Sequence, residues 1–116
     1  MSNEAFSVSG QLGNANLPLG ELQVLFRDFC NARGWNDHIT GPELMMLLTE
    51  EVGEVSKEVR NLHFNRSADR NATVSDLGDE LVDAFNYICR IASLYNIDLS
   101  EAYVRKCAKI AKKYPV

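Results

Sequence analysis

Apolar residues recur at three- and four-residue intervals from Leu22 almost to the end of the 116-residue chain. No segment alternates with the two-residue period of a strand at comparable strength. That periodicity predicts an all-α protein. Leu22, Leu25, Phe26 and Phe29 set one apolar stripe on a first helix from about Gly20 to Ala32, with Gly34 as its stop. Met45, Leu48, Val52, Val55, Val59 and Leu62 set a second on a helix from about Pro42 to Leu62. Thr40 and Glu43 form a capping-box pattern before it, and Pro42 suits its first turn. Leu77, Leu81, Phe85, Ile88 and Ala92 set the third, from about Ser75 to Tyr95, with Thr73 and Asp76 as its cap signal. The fourth runs from about Leu99 to Lys113, opened by Asp98 and Glu101 and ended by a basic run and Pro115.

The connections are polar. Residues 1–19 are rich in Gly, Asn and Ser and read as a mobile arm, with a short extended piece at Ala5–Val8. The helical domain is then 20–116, and the span Phe64–Thr73, with Arg66 and Arg70, is a loop. On the third helix Val82 and Cys89 widen the apolar stripe on one side, and Ala84 and Ile91 on the other. That arc exceeds the roughly 100° a surface helix needs and calls for a second packing partner. The fold expected is a helical bundle.

Charge and cysteine usage exclude several classes. The net charge of −4 gives no drive toward nucleic acid or an anionic membrane. A small anionic ligand is compatible with it, because a bound divalent cation reverses the local sign. Cys30, Cys89 and Cys107 are odd in number and far apart, so neither a disulfide framework nor a zinc site is expected, and a reducing cytoplasm fits. There is no membrane-spanning run and no signal-peptide pattern at the N-terminus.

Two acidic pairs carry the chemistry. Glu51-Val-Gly-Glu54 lies on the second helix and Glu80-Leu-Val-Asp83 on the third. An i, i+3 spacing puts two carboxylates about 5–6 Å apart on one helix face. Both pairs edge their apolar stripes, so an antiparallel packing of the two helices turns the acidic edges toward a shared cleft. Carboxylates gathered there relieve their repulsion by taking up protons or by binding a cation. An all-oxygen donor set favours Mg²⁺ or Mn²⁺ over zinc. A plain solvated face is the alternative for either pair taken alone.

At these residues the chain resembles the MazG-like members of the all-α nucleoside triphosphate pyrophosphohydrolases. The resemblance is carried by Leu47-Leu-Thr-Glu-Glu-Val-Gly-Glu-Val55 and Asp79-Glu-Leu-Val-Asp-Ala-Phe-Asn-Tyr-Ile88, and it extends from about Leu22 to Pro115. It implies a four-helix bundle of the MazG type, with helices packing across the interface of a dimer or tetramer. It implies hydrolysis of a nucleoside or deoxynucleoside triphosphate to the monophosphate and pyrophosphate, in nucleotide-pool cleansing. By that resemblance Glu51, Glu54, Glu80 and Asp83 are ligands of Mg²⁺, with Mn²⁺ as a substitute. Glu50 either orients or deprotonates the attacking water or is an exposed helix carboxylate.

Further candidates are Trp35, from the resemblance, and Tyr87, Asn86 and the terminal lysines, from their places along the helices. Trp35 matches a position that helps hold the base, with core packing as its other reading. Tyr87 either packs on the sugar or base or buries its ring, and Asn86 lies further round the helix. Lys109, Lys112 and Lys113 either reach the triphosphate, from this or another subunit, or complement the helix dipole. Ile110 stands where relatives often carry Asn, so no phosphate role passes to it. A di-iron carboxylate bundle needs Glu-x-x-His pairs, and the residues three before His38 and His63 are Trp35 and Arg60. A non-catalytic helical interaction module that keeps the fold is the remaining alternative.

Overall fold

The computed structural model describes residues 15–66 and 68–116. Among them are four helices and no strand: α1 (Leu19–Ala32), α2 (Gly41–His63), α3 (Arg70–Leu94) and α4 (Leu99–Lys113). The all-helical reading therefore holds. The extended piece expected at Ala5–Val8 lies outside the described residues.

Local chemistry fixes the helix ends. Thr40 Oγ1 accepts from the Glu43 backbone N–H at 3.3 Å and donates to the Glu43 carboxylate at 3.1 Å. The Asp98 carboxylate accepts from the N–H groups of Ser100 and Glu101 at the start of α4. The start of α3 departs from expectation. It begins at Arg70, not near Ser75, because the Asp69 carboxylate accepts from the Ala72 N–H at 3.1 Å and its carbonyl accepts from both the N–H and the hydroxyl of Thr73. Asp69 is thus the cap, and the polar stretch from Arg70 to Thr73 is helical.

Three helices stop in one way. Gly34, Asn65 and Asn96 adopt left-handed φ values of 70°, 50° and 56°. In each case the following N–H returns to the carbonyl five residues earlier: Trp35 to Cys30, Arg66 to Asn61 and Ile97 to Ala92. This is the glycine or asparagine stop that satisfies the last carbonyls of a helix.

The chain divides into two compact units, one of Ile39–Ile91 and one of Met1–His38 with Ala92–Val116. In the second of these, Gln23 is the fastener. Its amide nitrogen donates to Ser93 Oγ at 3.2 Å and to the Ile97 carbonyl at 2.7 Å, and its amide oxygen accepts from the Leu99 N–H at 3.0 Å. A buried glutamine on the apolar side of α1 thereby ties that helix to the turn between α3 and α4. Every polar atom of the side chain is satisfied, as burial demands.

In the Ile39–Ile91 unit a row of covered residues runs along each helix. On α2 the row is Leu44, Leu48, Glu51, Val55, Glu58 and Leu62, with Gly41, Leu47 and Asn61 also covered; on α3 it is Thr73, Leu77, Glu80, Ala84, Tyr87 and Ile91, with Phe85, Asn86, Cys89 and Arg90 also covered. Both rows step by alternating fours and threes, the spacing of a helix–helix seam. The α2 row shares Leu48, Val55 and Leu62 with the stripe read from the sequence but replaces Met45, Val52 and Val59, which are about half exposed. On α3, Leu81 and Ile88 of the expected stripe are likewise exposed. Counting apolar residues alone misses the seam because glutamates occupy part of it.

Candidate functional site

α2 ends at His63 and α3 begins at Arg70. Glu51 lies about three turns before the end of α2 and Glu80 about three turns after the start of α3. Antiparallel helices therefore bring these residues level. Carboxylate oxygens of Glu51, Glu80 and Asp83 all lie within 4.8 Å of one another. Glu51 and Glu80 are half-buried, whereas Asp83 is exposed.

The electrostatics follow from this crowding. Burial, then the charges of Asp83 and Glu54, push the Glu51 carboxyl above its ordinary range, with a smaller push from Glu50. Burial, then Asp83, Glu51 and Glu54, push Glu80 up in the same direction. A hydrogen bond between the two carboxyls opposes the rise at Glu51 and adds to it at Glu80. Such a cluster lacks positive charge, and a proton is what it takes up when no cation is at hand.

The other expected residues are placed less uniformly. Glu54 is exposed and stands outside the group of three, though its charge acts on both Glu51 and Glu80. Glu50 is exposed on α2. Tyr87 is half-buried in the α3 seam row with the Arg90 guanidinium 5.5 Å from its ring centre, and Asn86 beside it is also half-buried. Glu58, to which the sequence assigns no role, sits half-buried on the same α2 face as Glu51, and its seven-residue spacing from Glu51 is the signal that places it there.

Trp35, Lys109, Lys112 and Lys113 belong to the other compact unit. The Trp35 ring is 52% exposed and meets Phe29 edge-on at 5.8 Å. The Arg33 guanidinium lies 3.3 Å from the Phe29 ring centre and donates to the Phe29 carbonyl at 3.0 Å. The Trp35 ring is thus supported by Phe29 and about half exposed. Lys109, Lys112 and Lys113 are exposed at the end of α4, Lys113 lying 5.5 Å from the Tyr114 ring centre. His38 is exposed, and His63 is a helix-end residue packed edge-on against Phe64.

The thiols take no part in this acidic group. Cys30 and Cys89 are buried, and burial pushes the Cys89 thiol up to about 11, which keeps it protonated and inert. No helix among the described residues is long and apolar enough to cross a membrane.

No curated protein matches the chain. The family model for the MazG nucleotide pyrophosphohydrolase domain matches residues 40–116. That stretch takes in α2, α3, α4 and the whole acidic group, and it leaves α1 and Trp35 outside, a shorter reach than the resemblance from Leu22 implied. With two thirds of its length matched, the chain belongs to the MazG nucleotide pyrophosphohydrolase domain family.

Proposed function

We propose that this protein is a magnesium-dependent pyrophosphohydrolase that converts nucleoside or deoxynucleoside triphosphates to the monophosphate and pyrophosphate, in cleansing of the cytoplasmic nucleotide pool. The observation that carries the reading is the convergence of Glu51, Glu80 and Asp83 from two helices to within 4.8 Å, in a chain of a family that hydrolyses nucleotide pyrophosphate bonds. The donor set is all oxygen and short of positive charge, which fits Mg²⁺, with Mn²⁺ as a substitute. Glu51, Glu80 and Asp83 would hold the ion, with Glu54 completing the set from the next turn. When bound, such an ion neutralises phosphate oxygens and lowers the pKa of water.

The remaining work falls to the side chains. Glu50 orients or deprotonates the attacking water. Trp35 offers its exposed ring to the base, and Tyr87 and Asn86 border the sugar. Lys109 and Lys113, with Lys112 beside them, neutralise the triphosphate. The chain works as a homo-oligomer, a dimer or a tetramer, and binds neither nucleic acid nor membrane.

The test is product identification with Mg²⁺ and each canonical nucleotide in turn. Monophosphate plus pyrophosphate is the expected outcome. Diphosphate plus orthophosphate would contradict the reaction, and failure to turn over any triphosphate would favour a non-catalytic interaction module.

A further inference from the structure

Trp35 is the only tryptophan of the chain, and its backbone is pinned on both sides. The Cys30 carbonyl accepts from the N–H groups of Arg33 and Trp35, each at 3.1 Å, and the Asn31 carbonyl accepts from the Gly34 N–H. Cys30 is itself fully buried. Beyond Trp35, the Asn36 side-chain amide donates to Asn31 Oδ1 at 2.9 Å, and the Asp37 N–H returns to the Gly34 carbonyl. The helix stop therefore sets the backbone of Trp35. The freedom that remains is rotation of the indole about its side-chain torsions.

Neighbouring side chains oppose that rotation. Phe29 and the indole meet edge-to-face, with ring centres 5.8 Å apart and an interplanar angle of 76°. This is a favoured geometry for an aromatic pair. Phe29 is in turn held. Phe26 lies nearly parallel to it, at 12° and 5.9 Å between ring centres. The Arg33 guanidinium covers its face, 3.3 Å from the ring centre, and Arg33 Nη1 donates to its carbonyl at 3.0 Å. The same guanidinium is 5.9 Å from the centre of the Trp35 ring. Arg33 thus bridges the two rings while fixed to the end of α1. Arg33, Phe26 and Phe29 are all half-buried, and partial removal from water strengthens a cation–π contact.

We propose that Arg33 is a positioning residue, which locks Phe29 and so holds the Trp35 indole in one orientation for stacking on a nucleobase. This rests on the base-holding reading of Trp35 above and adds the group that prepares the ring. An aromatic platform ordered before its ligand arrives loses no side-chain freedom on binding, a difference of roughly three- to tenfold in affinity for one side chain. The planar guanidinium is needed for the stack; lysine carries the same charge but has no flat face to lay on Phe29. A purely structural role for Arg33, satisfying the Phe29 carbonyl at the end of α1, would lower stability and leave the motion of the indole unchanged.

Fluorescence of the single tryptophan tests this. In the unliganded protein the anisotropy decay of Trp35 is expected to follow tumbling of the whole molecule. Arg33→Lys and Phe29→Leu are each expected to add a fast component, with the helical circular dichroism retained. Arg27→Lys, on the same helix and paired with Asp28 at 3.2 Å, is the control and is expected to change neither the decay nor binding. Each canonical nucleoside monophosphate is then titrated without metal, with quenching of Trp35 as the signal. The dissociation constant is expected to rise roughly three- to tenfold in Arg33→Lys. An unchanged decay in both variants, equal dissociation constants, or no quenching of the unmodified protein by any monophosphate would overturn the proposal. Neither readout needs turnover, so failure here leaves the pyrophosphohydrolase reading to its own product test.

Discussion

Carboxylate oxygens of Glu51 on α2 and Glu80 on α3 lie within 4.8 Å of each other. Two acidic side chains facing each other at a helix seam are a poor choice for stability alone. Burial disfavours their charges, and Asp83 and Glu54 add repulsion.

The first consequence is a dependence of stability on pH. Both carboxyls are raised above the ordinary value of 4.5, so the folded state holds more protons than the unfolded chain. Their contribution is complete below that ordinary value and is lost as pH rises through the raised folded-state values. Glu80→Gln removes one of these groups. In metal-free buffer the variant should therefore gain stability relative to the unmodified protein as pH rises from about 5 to about 8. Thermal melts at both pH values check this, and a difference that shrinks toward high pH would contradict it.

Cation binding should show the same site from the other side. Glu51→Gln and Asp83→Asn are expected to weaken Mn²⁺ binding by at least the roughly 10–100-fold that loss of a supporting partner costs a metal site. Turnover should collapse in both while helical circular dichroism persists. Glu54→Gln should weaken binding less, since Glu54 stands outside the group of three. Titration calorimetry with Mn²⁺ ranks the three variants, and equal affinities would remove the assignment.

Gln23 predicts a structural effect far from any chemistry. Gln23→Ala leaves the Leu99 N–H and the Ile97 carbonyl without their partner. The expected loss is about 2–6 kcal/mol, given about 1–3 kcal/mol for each of the two part-buried polar groups left unpaired. Urea unfolding measures it, and a loss below about 1 kcal/mol would show that water replaces the side chain.

Gly34 marks a backbone requirement. Its φ of 70° is disfavoured for residues with a Cβ, and an added Cβ would stand 3.0 Å from an Asp37 carboxylate oxygen. Gly34→Ala should cost about 1–2 kcal/mol, whereas Gly34→Asn should cost less, because asparagine tolerates this conformation. Asn65 and Asn96 already adopt it in this chain. Comparison of the two melting temperatures decides the point.

Sequence alone determined the helices, the acidic pairs and the family resemblance. Periodicity, caps and turn residues act within a few positions, so α1 and α4 are legible to within a residue or so, and Glu51 and Glu80 can be singled out by spacing. The start of α3 is not legible in the sequence, because Asp69, Ala72 and Thr73 form the cap through hydrogen bonds that a string of polar residues does not disclose. Tertiary structure alone decided which face of each helix is covered. Glutamates enter the seam in place of Met45, Val52 and Val59, and Gln23 is buried because three partners from residues 93–99 converge on it. The four-carboxylate set read from spacing became a closely grouped three with Glu54 at its margin, because proximity between helices depends on their packing and not on intervals along either chain.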